Sequence, residues 1–132
     1  MRYLLDTNVV IAILRDTSAQ AAQRAKRESI DDLGVSSIVT HELYFGAFRS
    51  RQQSNNLSRL DALRFPIVEF DRDDARRAGL IRAELAGRGV PIGPYDVLIA
   101  GQALNRGLIL VTRNTREFSR VSGLHVEDWE VS

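Results

Sequence analysis

Leu108-Ile109-Leu110-Val111, followed by Thr112-Arg113-Asn114, is the stretch on which the fold turns. Four consecutive apolar residues behind Gly107 and ahead of a polar triplet read as a strand buried on both faces, the kind found inside a parallel sheet. A second short run, Tyr3-Leu4-Leu5, is cut off in the same way by Asp6-Thr7-Asn8. Parallel strands cannot be joined by tight hairpins and need crossovers, usually helical, so the sequence between such runs should read as helix.

It does. Val9, Val10, Ile11, Ile13 and Leu14 read as a buried helix, and the alanine-rich, charged stretch from Ser18 reads as a second, more exposed helix ending before Gly34. Gly34-Val35-Ser36 is a minimal strand. Ser37 is placed to cap a helix through Ile38, Val39, Leu43, Ala47 and Phe48, and Leu57, Leu60 and Leu63 suggest another that Pro66 stops. Ile67-Val68-Glu69-Phe70 reads as a strand, and Asp71 or Asp73 opens a long helix ending near Gly87 or Gly89. After the loop Gly89-Val90-Pro91-Ile92-Gly93, Pro94 suits the first turn of a helix that ends at Gly107, and His125-Val126-Glu127 reads as a weak edge strand. Strands alternating with helices predict an α/β fold: a three-layer sandwich whose mostly parallel sheet of four to five strands is flanked by helices. No linker, repeat or low-complexity segment divides it, so residues 1–132 are expected to form one domain.

Composition narrows the chemistry. The chain has 132 residues, with 18 Lys+Arg against 17 Asp+Glu, a net charge of +1, and 44% hydrophobic residues. A chain of this length buries roughly two-thirds of the surface that its unfolded form exposes, so an ordinary core suffices. There is no cysteine, which excludes disulfides, thiolate catalysis and Cys-based zinc or iron–sulfur sites. No signal-like start or membrane-length apolar run is present, and the cytoplasm is the expected location. Lys26 is the only lysine, every other basic side chain being arginine. Arginine grips phosphate bidentately, although a GC-rich coding sequence would give the same bias. Local basic patches fall around Arg49 to Arg64 and Arg106 to Arg120.

Ligands in open α/β sheets sit at the carboxyl ends of strands, which singles out Asp6 and Thr112, each directly behind an apolar run. Asp6 could equally be a helix cap. Glu42 has Ile38, Val39, Phe45 and Gly46 at helical spacing and should point inward. A buried carboxylate must be protonated, paired with an arginine or bound to a cation. Asp96 shares the buried stripe Ile99, Ala100, Ala103 and Leu104, although a first-turn acid is also favoured by the helix dipole. Three inward carboxylates from three elements are best explained by a hard cation, magnesium or manganese rather than zinc.

LLDTNVVIAIL, VSSIVTHELYFGA, PIGPYDVLIAGQAL and LILVTRNTREF follow one another in an order and spacing that resemble the PIN-domain ribonucleases, and more narrowly the VapC toxins of VapBC toxin–antitoxin modules. The likeness runs from Met1 through the terminal GLHVEDW. It implies that Asp6, Glu42 and Asp96 are catalytic and metal-binding, and that Asn8, Thr112 and Asn114 are supporting polar residues. Many PIN domains carry a fourth aspartate where this chain has Asn114, so one well-held Mg²⁺, with Mn²⁺ as a substitute, is expected, any second ion arriving with the RNA phosphate. The implied reaction is RNA cleavage leaving a 5′-phosphate and a 3′-hydroxyl, with a tRNA loop as the substrate class. Mg²⁺ on Asp6 and Asp96 would polarise the phosphate, while Glu42 would orient and deprotonate water, directly or through the metal.

Leu43, Tyr44, Phe45, Ala47 and Phe48 are too many apolar residues for one helical stripe. The resemblance implies that a second copy or a VapB-like antitoxin covers the excess. It further implies a homodimer, operator DNA bound only through the antitoxin, and no membrane association. Tyr44 and Tyr95 are available to stack on splayed bases, though core or interface packing would use them equally. A receiver-type or dehalogenase-type site is excluded because each needs a lysine that Lys26 is not placed to supply. A metal-free ribonuclease using His41 and His125, and a catalytically weak PIN domain that only binds RNA or antitoxin, remain as alternatives.

Overall fold

The computed structural model describes residues 1–130. Five strands form one parallel sheet in the order β3-β2-β1-β4-β5, with β1 at Tyr3–Leu5, β2 at Leu33–Ser36, β3 at Ile67–Val68, β4 at Ile109–Val111 and β5 at Val126–Glu127. The α/β sandwich that the pattern predicts is therefore present, with a sheet that is wholly rather than mostly parallel. Seven α-helices flank it among the described residues: α1 Thr7–Arg15, α2 Gln20–Lys26, α3 Ser37–Arg49, α4 Gln53–Asp61, α5 Arg72–Gly87, α6 Pro94–Arg106 and α7 Thr115–Phe118. None is long and apolar enough to cross a membrane.

The apolar runs that decided the sequence reading form the middle of the sheet. Leu4, Leu5, Val35, Leu110 and Val111 are fully buried, as strands covered on both faces must be. Leu5 is level with Val35 on one side and with Val111 on the other, so Asp6 and Thr112 leave the sheet side by side. The chain runs outward from β1 through β2 to β3, then returns through α5 and α6 to place β4 on the opposite side of β1. The carboxyl ends of β1 and β4 thus flank the topological switch point, where open sheets leave a crevice.

Several local expectations are corrected. The cap of α3 is Ser36, whose side chain accepts the Ile38 N–H, while the Ser37 hydroxyl accepts the Phe70 N–H at 3.1 Å. The strand expected over residues 67–70 is reduced to Ile67–Val68, since its neighbour β2 ends at Ser36, level with Val68, and the Glu69 carbonyl turns instead to α6, accepting Gln102 Nε2 at 3.2 Å and Arg106 at 2.8 Å. Helix α2 stops at Lys26, and a 3-10 turn at Ile30–Asp32 leads into β2. Helix α4 ends at Asp61, ahead of Leu63 and Pro66. Of the two acids expected to open α5, Asp71 is the cap, through a reciprocal pair of bonds with Asp74, which agrees with the sequence reading. Gly107 closes α6 in the left-handed conformation, φ 65°, as the C-terminal glycine position requires.

Helices α5 and α6 pack so closely that a Cβ on Gly101 would lie 2.6 Å from the backbone of Ala78. Beside this contact, fully buried Asp74 accepts bonds from Gln102, Asn105 and Arg106. Burial opposes its charge, but the Arg106 guanidinium, the Asp71 N–H and the two amides outweigh it and hold the carboxyl down at about 2. The pair locks the C-terminal half of α6 and so fixes the axis along which its N-terminus, with Asp96, projects.

Candidate active site

Asp6 follows β1 directly and caps α1. Its Oδ1 accepts the Thr7 N–H at 2.8 Å and its Oδ2 accepts the Thr112 hydroxyl at 2.7 Å, while its own N–H reaches Val111 O. The cap and the inward carboxylate are therefore the same residue, and the two readings of the sequence do not compete. Asp6 is only 6% exposed, and burial raises its pKa despite both bonds.

Glu42 occupies the second turn of α3 and is half-buried. Burial raises its pKa, the Asp6 charge raises it further, and the Thr7 hydroxyl and His41 oppose the change. The Thr7 hydroxyl faces Glu42 without closing a full hydrogen bond, since Oγ1 has no partner. Asp96 stands in the first turn of α6, also half-buried, and its pKa is pushed up to about 6 by burial and then by Asp6, Glu117 and Glu42. Three elements thus bring Asp6, Glu42 and Asp96 within electrostatic reach of one another. Among the described residues, none of the three forms an ion pair with a lysine, arginine or histidine. The distant arginine that could have neutralised Glu42 is absent from that set.

Thr112 is fully buried and bridges Asp6 to the Asn114 N–H, at 3.1 Å from the latter. The Asn114 amide donates to Glu117 Oε2 at 2.6 Å. Asn8 is exposed on the first turn of α1 and makes no side-chain hydrogen bond among the described residues. Glu117 is the member that the sequence reading missed. Its other oxygen accepts the Gly93 N–H at 2.8 Å, in the loop before α6. Only its place in Arg116-Glu117-Phe118, one turn behind Asn114, could have drawn attention to it, and that spacing is common in helices.

Around the acids, His41 and Tyr95 meet with ring centroids 5.7 Å apart, joining α3 to α6. Tyr95 is exposed, whereas Tyr44 is committed to Asp61 through a short hydrogen bond and is not free to stack. His125 precedes β5, level with Ile109, and so lies at the opposite end of the sheet from Asp6. It cannot work with His41 on one phosphate. On the outer side of α3, Phe45 and Phe48 are 57% and 59% exposed, so the apolar excess seen in the sequence is indeed uncovered. A groove of about 260 Å³ between α1, α3 and α4 has Ile11, Leu14 and Leu60 in its lining, Arg15 and Arg59 among its polar groups, and Glu42 as its link to the acidic cluster.

This strand order, with acids gathered at the switch point, agrees with the comparison to known families. The PIN domain family model matches residues 3–124. The chain belongs to the VapC family of PIN-domain ribonucleases. It is 40% identical over 131 residues to the tRNA(fMet)-specific endonuclease VapC of Shigella flexneri, covering 98% of both chains. Among solved structures, DNA-bound VapBC from Salmonella typhimurium matches with a TM-score of 0.90 at 38% identity over 98% of each chain. VapBC-1 from nontypeable Haemophilus influenzae matches with a TM-score of 0.89 at 30% identity, covering 99% of this chain and 100% of that one. The fold and family that the four motifs implied are thus those of the chain.

Proposed function

We propose that residues 1–132 act as one domain, a divalent-metal-dependent endoribonuclease that cuts a tRNA within a loop. The observation that carries this reading is the convergence of Asp6, Glu42 and Asp96, all raised in pKa and none paired with a cation. Among the described residues no three His, Asp or Glu side chains form a closed metal-binding group as they stand. The fit is one of donor chemistry: hard carboxylate oxygens, mutually repelling and partly desolvated, suit Mg²⁺, or Mn²⁺ in its place. When bound, such an ion supplies positive charge against the phosphate being cleaved.

The chain's own residues account for the remaining work. Thr112 and the Thr7 N–H hold both oxygens of Asp6, so its orientation is fixed before substrate arrives. Asp96 faces it from the first turn of α6. Glu42, with a raised pKa, accepts the proton of the attacking water. The hydroxide attacks phosphorus in line, the bond to O3′ breaks, and O3′ leaves with a proton from solvent. The products carry a 5′-phosphate and a 3′-hydroxyl. His41 and Tyr95 beside the acids offer a platform on which a splayed loop base can stack. The substrate named for the Shigella relative supports tRNA as the class.

The exposed Phe45 and Phe48 face is covered by a second copy of the chain, and the groove beside Glu42 takes a segment of a VapB-like antitoxin, whose basic side chain would neutralise the acids. The VapBC structures support such a partner, and VapBC2 of Rickettsia felis bound to a fragment of its promoter supports operator DNA as a target, which this chain would reach through the antitoxin. The protein works in the cytoplasm. Incubation of the purified chain with initiator tRNA, elongator tRNAs and ribosomal RNA tests the substrate: one discrete cut in a tRNA loop supports the reading, and equal degradation of all three contradicts it.

A further inference from the structure

An unbroken chain of hydrogen bonds leads from Asp6 to the turn that carries Asp96 without passing through α1. Thr112 Oγ1 donates to Asp6 Oδ2 and accepts the Asn114 N–H. Asn114 Nδ2 donates to Glu117 Oε2, and Glu117 Oε1 accepts the Gly93 N–H. Gly93 is the N-cap of α6, and its carbonyl accepts the Val97 N–H at 3.0 Å, so Asp96 lies inside the turn that this bond closes. The fit is close: a Cβ on Gly93 would come within 3.0 Å of Asp96 Oδ2.

Each link has a fixed polarity. Each oxygen of Glu117 is engaged by a donor, Asn114 Nδ2 on one and the Gly93 N–H on the other, so the side chain is held against the start of α6. Position 114 must then donate, which an amide does and a carboxylate cannot. This explains why the chain departs here from the fourth aspartate that the PIN resemblance implies: an aspartate would face Glu117 across the same short gap, two acceptors with no proton between them. We propose that Asn114 and Glu117 are a positioning pair for the acidic site, Asn114 fixing Glu117 against the start of α6 and thereby setting where Asp96 stands relative to Asp6. The inference rests on the reading of Asp6, Glu42 and Asp96 as the set that holds the cation.

The test is a polarity swap in the full-length protein. Asn114→Asp breaks the pair. Asn114→Asp combined with Glu117→Gln rebuilds it in reverse, because an amide at position 117 donates to the carboxylate now at position 114 while its carbonyl oxygen still accepts the Gly93 N–H. Gly93 amide exchange by NMR in metal-free protein, Mn²⁺ affinity by electron paramagnetic resonance, and kcat and KM on RNA are compared. Asn114→Asp should speed Gly93 exchange, weaken Mn²⁺ binding and lower kcat, each by about 10-fold or more, with KM little changed. The double variant should recover to within about threefold of the native protein, a return that a general packing defect would not show. Asn114→Ala, which adds no repulsion, should give a smaller loss of the same kind, and serves if Asn114→Asp does not fold. Tighter Mn²⁺ binding with a higher kcat in Asn114→Asp would show that side chain 114 reaches the cation, and would overturn the proposal. So would a double variant no better than the single one. If the native chain neither binds Mn²⁺ nor cuts RNA, the functional reading falls, while Gly93 exchange still decides the pair.

Discussion

Thr112 Oγ1 lies 2.7 Å from Asp6 Oδ2 and donates its proton to it, tying the end of the fourth strand to the end of the first at the point where the strand order reverses. A buried carboxylate with one donor on each oxygen is held in place but not neutralised. Its charge is left for Glu42 and Asp96 to share, and both respond with raised pKa values. The frame is thus rigid where it orients Asp6 and electrostatically strained where the three acids face one another.

In the proposed reaction the role of Glu42 is chemical rather than positional. Glu42→Gln keeps the shape of the side chain and removes its capacity to accept a proton. It should lower kcat on RNA by roughly 100- to 10,000-fold, the ordinary range for a positioned general base, with KM little altered. Single-turnover cleavage of a tRNA substrate checks this, and a loss confined to KM would assign Glu42 to binding.

Burial of Asp96, reinforced by repulsion from Asp6, Glu117 and Glu42, makes metal-free stability depend on pH. The Asp96 carboxyl titrates at about 6 in the folded chain against an ordinary 3.8, so between those values the folded state binds more protons than the unfolded one. Its contribution is complete below about pH 4 and is lost as pH rises through about 6. The Tm in EDTA should fall from about pH 5 to about pH 7.5, and Asp96→Asn should flatten that fall. Saturating Mg²⁺ should raise Tm most at the higher pH, where the carboxylates that it needs are ionised. Thermal melts across this range provide the measurement.

Asp74 behaves in the opposite sense. Its folded pKa of about 2 lies below the ordinary value, so the stability it gives is present above about pH 4 and disappears as pH falls toward 2. Asp74→Ala removes the acceptor of the Asn105 amide and of Arg106 Nε and one of the acceptors of buried Gln102, and should cost roughly 1–3 kcal/mol by urea denaturation. Cleavage by the fraction that remains folded should change much less than in the Glu42 variant.

Much of this was legible in the sequence because burial leaves a plain record. Leu108 to Val111 had to be a doubly covered strand, and Asp6 had to stand at the end of another. Glu42 and Asp96 could be found because each carries a charge on a stripe of apolar residues. Glu117 left no such record, being engaged by a backbone N–H from another loop that no pattern within α7 reveals. The Ser36 cap, one residue before Ser37, and the shortened β3 were hidden for the same reason: both depend on partners distant in sequence, Phe70 for Ser37 and α6 for the carbonyl of Glu69. Tyr44 could not be separated from Tyr95 by sequence, since the partners that distinguish them, Asp61 for Tyr44 and His41 for Tyr95, lie on other elements.

The exposed face of α3 gives an assembly prediction. Phe45→Glu with Phe48→Glu places negative charge on the two exposed aromatic side chains of this face, neither of which is in the core. The double variant should remain folded and run as a monomer in size-exclusion chromatography with light scattering, under conditions where the native chain is expected to run as a dimer. Equal masses for the two would assign this face to something other than a second copy.

The central claim is that Asp6, Glu42 and Asp96 form one cation-dependent hydrolytic site. Its most direct test is to treat tRNA with antitoxin-free protein in Mg²⁺, in EDTA, and with Asp6→Asn in place of the native chain, and to identify the ends of the fragments. Discrete products with 5′-phosphate and 3′-hydroxyl ends that vanish in both EDTA and Asp6→Asn are the expected result. Cleavage that survives EDTA and leaves cyclic phosphates would contradict it.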